Sequence, residues 1–374
     1  MTELRYGTPD EAGLDAAGVA RIVPAARSFL TGGGEGEGGG ERGGAYPGFV
    51  VLAARHGVVV AHEAGGSAVR YGGEDVPARR GTVFDLASVS KLFTAVVAVA
   101  LAERGALDLD APVARVLPGF PDAPGMTARG LLTHTSGLPP VIDLAPFPGR
   151  AGWLGAIAAQ PLRPGYAYSD LGLIALGAVC ETVTGRGLDA LVAELVTGPL
   201  ELRDTGYRPS AGLLPRVAAT EVQPWTGRGL VRGTVHDENA YHLGGVAGHA
   251  GLFSTAWDVA VLAQAVLNGG GYGGRRVLAP ASVREMLRQQ NAGLGPEASR
   301  GLGWQLDQPN WMGELASPTA FGHSGFTGTS VVADPATGVL LVLLTNRVHP
   351  TREQGAGHAY RRAPARELAR AVQL

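Results

Sequence analysis

Residues 15–30 place apolar side chains at the spacing of one helical face, with polar residues between them, which predicts an opening helix. The period then changes. Phe49-Val50-Val51-Leu52-Ala53 and Val58-Val59-Val60-Ala61 are β-rich runs on either side of His56-Gly57, and this reads as a hairpin. Residues 88–104 are dense in Ala, Val, Leu and Phe, the mark of a buried helix. Helical patterns separated by Gly/Pro loops fill about 108–300 and are clearest at 171–182, 188–195 and 256–267. Short β-rich runs return at 303–306, 329–333 and 339–345, the last two joined by the turn Ala336-Thr337-Gly338. Residues 358–372 close the chain as a helix with Leu368 and Val372 on one face.

Strands thus stand at both ends and helices fill the middle. The packing this predicts is an α/β (α+β) fold: one antiparallel sheet assembled from both termini, flanked by terminal helices, with an all-helical domain inserted. The expected boundaries are 1–110 with 300–374 for the discontinuous α/β domain and 111–299 for the insertion. Residues 32–44 (GGGEGEGGGERGG) are of low complexity and predict a flexible surface loop. No internal repeat is visible.

The 374 residues suit one large or two intimate domains. A formal net charge of −2 offers no basic face, so neither nucleic acid nor an anionic membrane is an expected partner. The single cysteine, Cys180, forms no intrachain disulfide and reads as a small core residue among Leu176 and Val179. Residues 1–15 have no apolar signal-peptide core, and the best apolar run, 92–102, is shorter than the roughly 17–20 residues of a membrane span. The expectation is a soluble, cytoplasmic protein. Of 31 basic residues, Lys91 alone is lysine. Arginine stays protonated, whereas a buried ammonium can lose its proton, so this lysine is a candidate for chemistry.

Lys91 follows Ser88 by three residues, in Ser88-Val89-Ser90-Lys91. On a helix these share a face, and a serine in the first turn meets free N–H groups that favour a developing anion. An amine beside it makes the Ser-Lys form of an activated nucleophile. Tyr168-Ser169-Asp170 opens a helical pattern, and a tyrosine near the lysine suits a proton shuttle. Gly322-His323-Ser324-Gly325-Phe326 precedes a β-rich run, where a backbone N–H can face an oxyanion together with that of Ser88.

In this order the three elements resemble the class C β-lactamase and penicillin-binding-protein-like superfamily of serine hydrolases, including its carboxylesterase members. Residues 84–91 look like its nucleophile segment, and Leu131-Leu132-Thr133-His134-Thr135-Ser136-Gly137-Leu138 like the helix and turn that follow. Tyr168-Ser169-Asp170 stands at the Y-x-N element, and Gly248-His249-Ala250-Gly251-Leu252-Phe253-Ser254-Thr255 at the glycine turn before a helix. Gly303-Trp304 matches the final strands, and His323-Ser324-Gly325 stands at the K-T-G position. The resemblance spans about 45–346. It implies an acyl-enzyme on Ser88, proton transfer by Lys91 and Tyr168, and oxyanion N–H groups from Ser88 and Phe326. Asp170, His323, Ser324 and Gly325 then line the substrate site, and no cofactor or metal is expected.

Two departures shape the substrate expectation. Asp170 stands for the usual Asn and, when ionised, donates no hydrogen bond; it also favours a charged Lys91, which moves base duty toward Tyr168. His323 stands for a lysine and is mostly neutral at pH 7. Both suit a neutral ester or amide, cleaved or transferred, as in the esterases of the superfamily. The alternative is a D-aminoacyl peptidase (DD-carboxypeptidase) or weak β-lactamase. Three rival readings compete. Gly322-His323-Ser324-Gly325 nearly spells a G-x-S-x-G elbow, but Phe326 replaces the last glycine. His236, Asp237, Glu238, His242 and His249 crowd one segment without the spacing of a metal motif. A sensor of the same fold would acylate once without turnover. His134 reads as a residue that ties down its turn, with a place on the pocket rim as the alternative, and Trp304 and Trp311 as core, with pocket lining as the alternative.

Overall fold

The computed structural model describes residues 1–31, 44–353 and 357–372. The predicted loop at 32–44 lies, but for Gly44, outside the described residues. Among those residues the largest sheet has eight strands. Its order runs Arg5–Tyr6, Val58–Tyr71, Gly48–Arg55, Val339–Thr345, Ser330–Asp334, Phe321–Ser324 and Gln305–Leu306, with Glu74–Pro77 also paired to Val58–Tyr71. Strands from the two ends of the chain meet at its centre, where Leu344 pairs with Val50 and Val342 with Leu52. One edge departs from the antiparallel expectation: Arg5–Tyr6 runs parallel to Val58–Tyr71, so the sheet is mixed. Two residues are too few to show a period.

The central strands read as unbroken apolar runs because both faces are covered. Val50, Leu52 and Ala54, with Leu340, Val342 and Leu344, enter the core shared with the interior helices. The alternating Phe49, Val51 and Ala53, with Val339, Leu341 and Leu343, enter the core beneath the terminal helices Ala16–Arg27 and Ala359–Ala371. Gly18 lets those two helices touch, since a Cβ there would stand 2.7 Å from the Cβ of Ala371. His56 and Gly57 both take positive φ, 51° and 82°, as a two-residue hairpin connection demands.

Helix Ser90–Glu103 is buried continuously from Ser90 to Leu101, which explains its lack of a polar face. Helix Asp170–Thr184 packs against it, and helix Ala256–Leu267 packs on the central strands of the sheet within the same core. The interval 111–299 is not all-helical: it contains short strands, among them Gly206–Tyr207 and Leu252–Ser254. Leu252–Ser254 pairs with Phe84–Asp85, just ahead of the Ser88 turn. Cys180 is wholly buried, and burial pushes its thiol up to about 12. Trp304 and Trp311 both lie in the core. Among the described residues no single helix is long and apolar enough to cross a membrane.

Candidate active site

Strand Phe84–Asp85 leads through the tight turn Ala87–Val89 into helix Ser90–Glu103. Ala87 sits at φ +45°, a conformation that costs an L residue about 1–3 kcal/mol. Buried Asp85 holds it there, accepting the Ala87 N–H at 2.8 Å and the His236 N–H at 2.6 Å. Burial raises the Asp85 carboxyl above its usual range in spite of those two donors. The turn delivers Ser88, half-buried, to a cleft of about 610 Å³.

Lys91 is wholly buried one turn further on. Its Nζ donates to Ser88 Oγ at 2.7 Å and to the His249 carbonyl at 3.2 Å, and lies 2.7 Å from Asp170 Oδ1. The Tyr168 ring centre is 4.9 Å away. Burial works to push the ammonium's pKa down, but the Asp170 carboxylate and the Tyr168 phenol outweigh it and hold Lys91 above its ordinary value. Lys91 is therefore a fixed cation at neutral pH. An ammonium donates and cannot accept, so in this state Lys91 faces the serine oxygen as a hydrogen-bond donor.

Tyr168 and Asp170 are set by what surrounds Ser169. Ser169 caps helix Asp170–Thr184, accepting the Gly172 N–H at 3.1 Å and donating to the Pro139 carbonyl at 2.7 Å. His134 ends helix Ala128–Thr133 at φ +59°. Its Nδ1 accepts the Ser169 N–H at 3.0 Å, and its ring centre is 4.6 Å from that of Tyr168. His134 thus reaches past its own turn and clamps the Tyr168 segment.

Strand Phe321–Ser324 turns into strand Ser330–Asp334, and the turn is stitched to the nucleophile segment. Thr327 Oγ1 donates to the Asp85 carbonyl at 2.8 Å and Thr329 Oγ1 to that of Leu86 at 2.9 Å. Gly325 is required by the same approach, since a Cβ there would stand 2.5 Å from the Leu86 carbonyl oxygen. Arg361, buried in the closing helix, donates to the Gly325 carbonyl at 2.7 Å. Among the described residues the N–H groups of Ser88 and Phe326 take no backbone acceptor. The Phe326 side chain is half-exposed at the rim of the cleft. Ser324 lines the cleft on a strand–turn–strand hairpin, not on the strand–turn–helix elbow that a G-x-S-x-G nucleophile needs.

His323 is wholly buried, with Nδ1 2.8 Å from the Ser324 carbonyl oxygen. Burial first, then the charges of Arg300 and Lys91, hold it well below the ordinary histidine range, so it is neutral. The same influences act on His134. Arg300 lines the cleft at 3% exposure, and nothing in the sequence pattern singles it out among the many arginines.

The acidic and histidine-rich segment does not gather round one point. His236 lies 2.9 Å from Glu221, His249 2.8 Å from Asp237, and Glu238 2.6 Å from Arg352, while His242 is exposed. A different trio, Asp170, Asp237 and His249, brings ligand-type atoms within 4.8 Å of one another. The Lys91 ammonium already stands 2.7 Å from Asp170, so a metal ion there would meet its repulsion.

The beta-lactamase family model matches residues 33–365. An Escherichia coli K12 protein named "Putative D-alanyl-D-alanine carboxypeptidase" is 36% identical over 351 residues, covering 81% of this chain and 79% of its own length. Among solved structures, EstCE1, described as a hydrolase with promiscuous acyltransferase activity, has a TM-score of 0.71 at 24% identity and covers 94% of this chain and 99% of its own. A family VIII carboxylesterase has a TM-score of 0.69 at 24% identity and covers 95% and 99%. These two likenesses concern the fold. The family match and the sequence identity together mean that the chain belongs to the beta-lactamase family of serine hydrolases.

Proposed function

We propose that the protein cleaves an ester or amide through a covalent acyl-enzyme on Ser88. Ser88 Oγ bonds to the carbonyl carbon while its proton passes to the Tyr168 oxygen, the base of the step, on the side chain that Lys91 faces. The carbonyl oxygen takes the negative charge between the N–H groups of Ser88 and Phe326. Collapse breaks the bond to the leaving group, which receives the proton from Tyr168. Water or another acceptor then attacks the Ser88 ester by the reverse sequence. The observation that carries this reading is the 2.7 Å contact between Ser88 Oγ and a buried Lys91 that Asp170 holds charged.

A second reading, D-alanyl-D-alanine carboxypeptidase action, rests on the name of the 36%-identical relative. Turnover of a 4-nitrophenyl ester, a chromogenic cephalosporin and a D-alanyl-D-alanine peptide separates the two. The esterase reading expects the ester to be fastest and Ser88→Ala to abolish its turnover. Faster cleavage of the peptide or the cephalosporin overturns it in favour of the second reading, and full activity in Ser88→Ala overturns both.

A further inference from the structure

Arg361 is buried in the closing helix, and its guanidinium spends its hydrogen bonds on the backbone. Nη2 donates to the Gly325 carbonyl at 2.7 Å and to the Thr329 carbonyl at 3.3 Å. Nη1 lies 2.8 Å from His358 Nδ1. Burial first, then the charges of Arg361, Arg362 and Arg347, bring His358 down to about 4, so at neutral pH it is an acceptor for Arg361 and not a second cation. No carboxylate among the described residues pairs with Arg361, and its Nε is buried with no hydrogen-bond partner.

A guanidinium stays charged, and a buried charge without its counter-ion costs several kcal/mol. The place where its shortest backbone bond falls gives that cost a use. The Gly325 carbonyl and the Phe326 N–H are the two ends of one conjugated peptide unit. A cation bonded to the oxygen end draws electron density through the C–N bond and leaves the N–H end more positive; bonds linked in this way strengthen one another by roughly 10–30% each. The same guanidinium also fixes the tilt of that peptide. It grips Gly325 and Thr329 together, and the Gly325 N–H donates to the Thr329 carbonyl at 2.8 Å. The other oxyanion donor is backed differently. Ser88 N–H belongs to the peptide whose oxygen, on Ala87, accepts an uncharged backbone N–H from Ser90.

We propose that Arg361 is a positioning residue for the oxyanion site: its guanidinium holds and polarises the Gly325–Phe326 peptide, so that the Phe326 N–H meets the developing oxyanion with a positive charge behind it. The inference rests on the acyl-enzyme reading above and adds to it a residue that acts through Phe326.

Three variants separate charge from shape. Arg361→Gln keeps an N–H donor without the charge, Arg361→Lys keeps the charge, and Arg361→Met removes both. Removing an oxyanion donor outright costs about 10²–10³ in rate, so weakening one is expected to lower kcat/KM for a 4-nitrophenyl ester roughly tenfold in Arg361→Gln and up to about a hundredfold in Arg361→Met. Arg361→Lys is expected to stay closer to wild type. Phenylboronic acid, which forms a tetrahedral adduct on a serine, should lose affinity in the same proportion. Infrared difference spectra of the Ser88 acyl-enzyme, with an isotope-labelled acyl carbonyl, read the hydrogen bonding at the carbonyl oxygen directly. The stretch is expected to rise in wavenumber from wild type through Arg361→Lys and Arg361→Gln to Arg361→Met. In wild type alone it should lie below that of the same ester in water, a measurement that needs no variant to fold, and a value at or above it overturns the proposal. Wild-type kcat/KM and stretch in Arg361→Gln overturn it as well, since the charge then does nothing. So does an Arg361→Lys variant as impaired as Arg361→Met, the pattern of a side chain needed only for its shape. Failure of every ester to acylate Ser88 would instead remove the reading underneath.

Discussion

The two sides of Tyr168 treat charge in opposite ways. On one side Lys91 meets Asp170 at 2.7 Å, and Asp237 meets His249 at 2.8 Å. On the other, Arg300 has a phenol oxygen and two ring faces but no carboxylate among the described residues. Arg300 is nearly as buried as Lys91, 3% against 0% exposed, so solvent does not explain the difference. A buried ion pair keeps its charge state whatever enters the cleft, which suits groups that must hold and move one proton in every turnover. Arg300, with no carboxylate partner among the described residues, is held by a phenol oxygen and two ring faces alone. Tyr168 belongs to both sides, since Lys91 and Arg300 stand 4.9 and 5.1 Å from the centre of its ring.

The comparison breaks first at Lys91. Lys91→Met leaves the Asp170 carboxylate without its cation and Ser88 without its donor. Breaking a buried pair costs about 3–5 kcal/mol, and the partial exposure of Asp170 points to the lower end. Urea melts at pH 7 are expected to show that loss, with ester turnover abolished. A variant that still turns over within tenfold of wild type would dismiss the paired side as the proton-handling side. Tyr168→Phe comes next. General-base loss is worth about 10²–10⁴ in rate, so kcat/KM should fall in that range while the urea midpoint barely moves. An unchanged kcat/KM would take Tyr168 out of the reaction.

Asp170→Asn sharpens the contrast by making the paired side resemble the other one. Without the carboxylate, burial is opposed by less, and the Lys91 pKa moves down from its raised position. The lysine is then lost as a cation at lower pH, so the alkaline limb of the rate profile should shift acidward relative to wild type. Superimposable profiles would show that Asp170 does not set the charge on Lys91.

The smallest effect on activity is expected at Glu221, which lies on neither side. Burial works to raise its pKa, but hydrogen bonds from His236 and Arg352 outweigh it and hold the carboxyl at about 2. A folded-state pKa below the ordinary 4.5 adds stability above pH 4.5 that is lost as pH falls toward 2. Glu221→Gln should therefore be destabilised by about 2–3 kcal/mol at pH 7, with the gap closing toward pH 2. A gap that stays constant with pH would mean that the Glu221 charge adds nothing to stability.

How much of this is written in the sequence differs between the two sides. The strands at Gly48–Arg55 and Val339–Thr345 and the buried helix after Ser88 follow from apolar runs long enough to show their period. Ser88, Lys91 and Tyr168 were legible because a lone lysine and short ordered motifs mark them. Arg300 carries no such mark: it is one arginine among many, and its place between Tyr166 and Tyr168 comes only from packing. His134 was legible as a turn residue but not as a clamp on Ser169, since the two meet only through the packing of separate helices. The parallel edge strand and the short strands within 111–299 escaped because two or three residues show no alternation.

Intact-mass spectrometry of the protein quenched during turnover of a 4-nitrophenyl ester reaches the core of the account. The expected result is a single added acyl mass, located by peptide mapping on the fragment that contains Ser88 and missing from Ser88→Ala. An adduct on another residue, or none during measurable turnover, would contradict it.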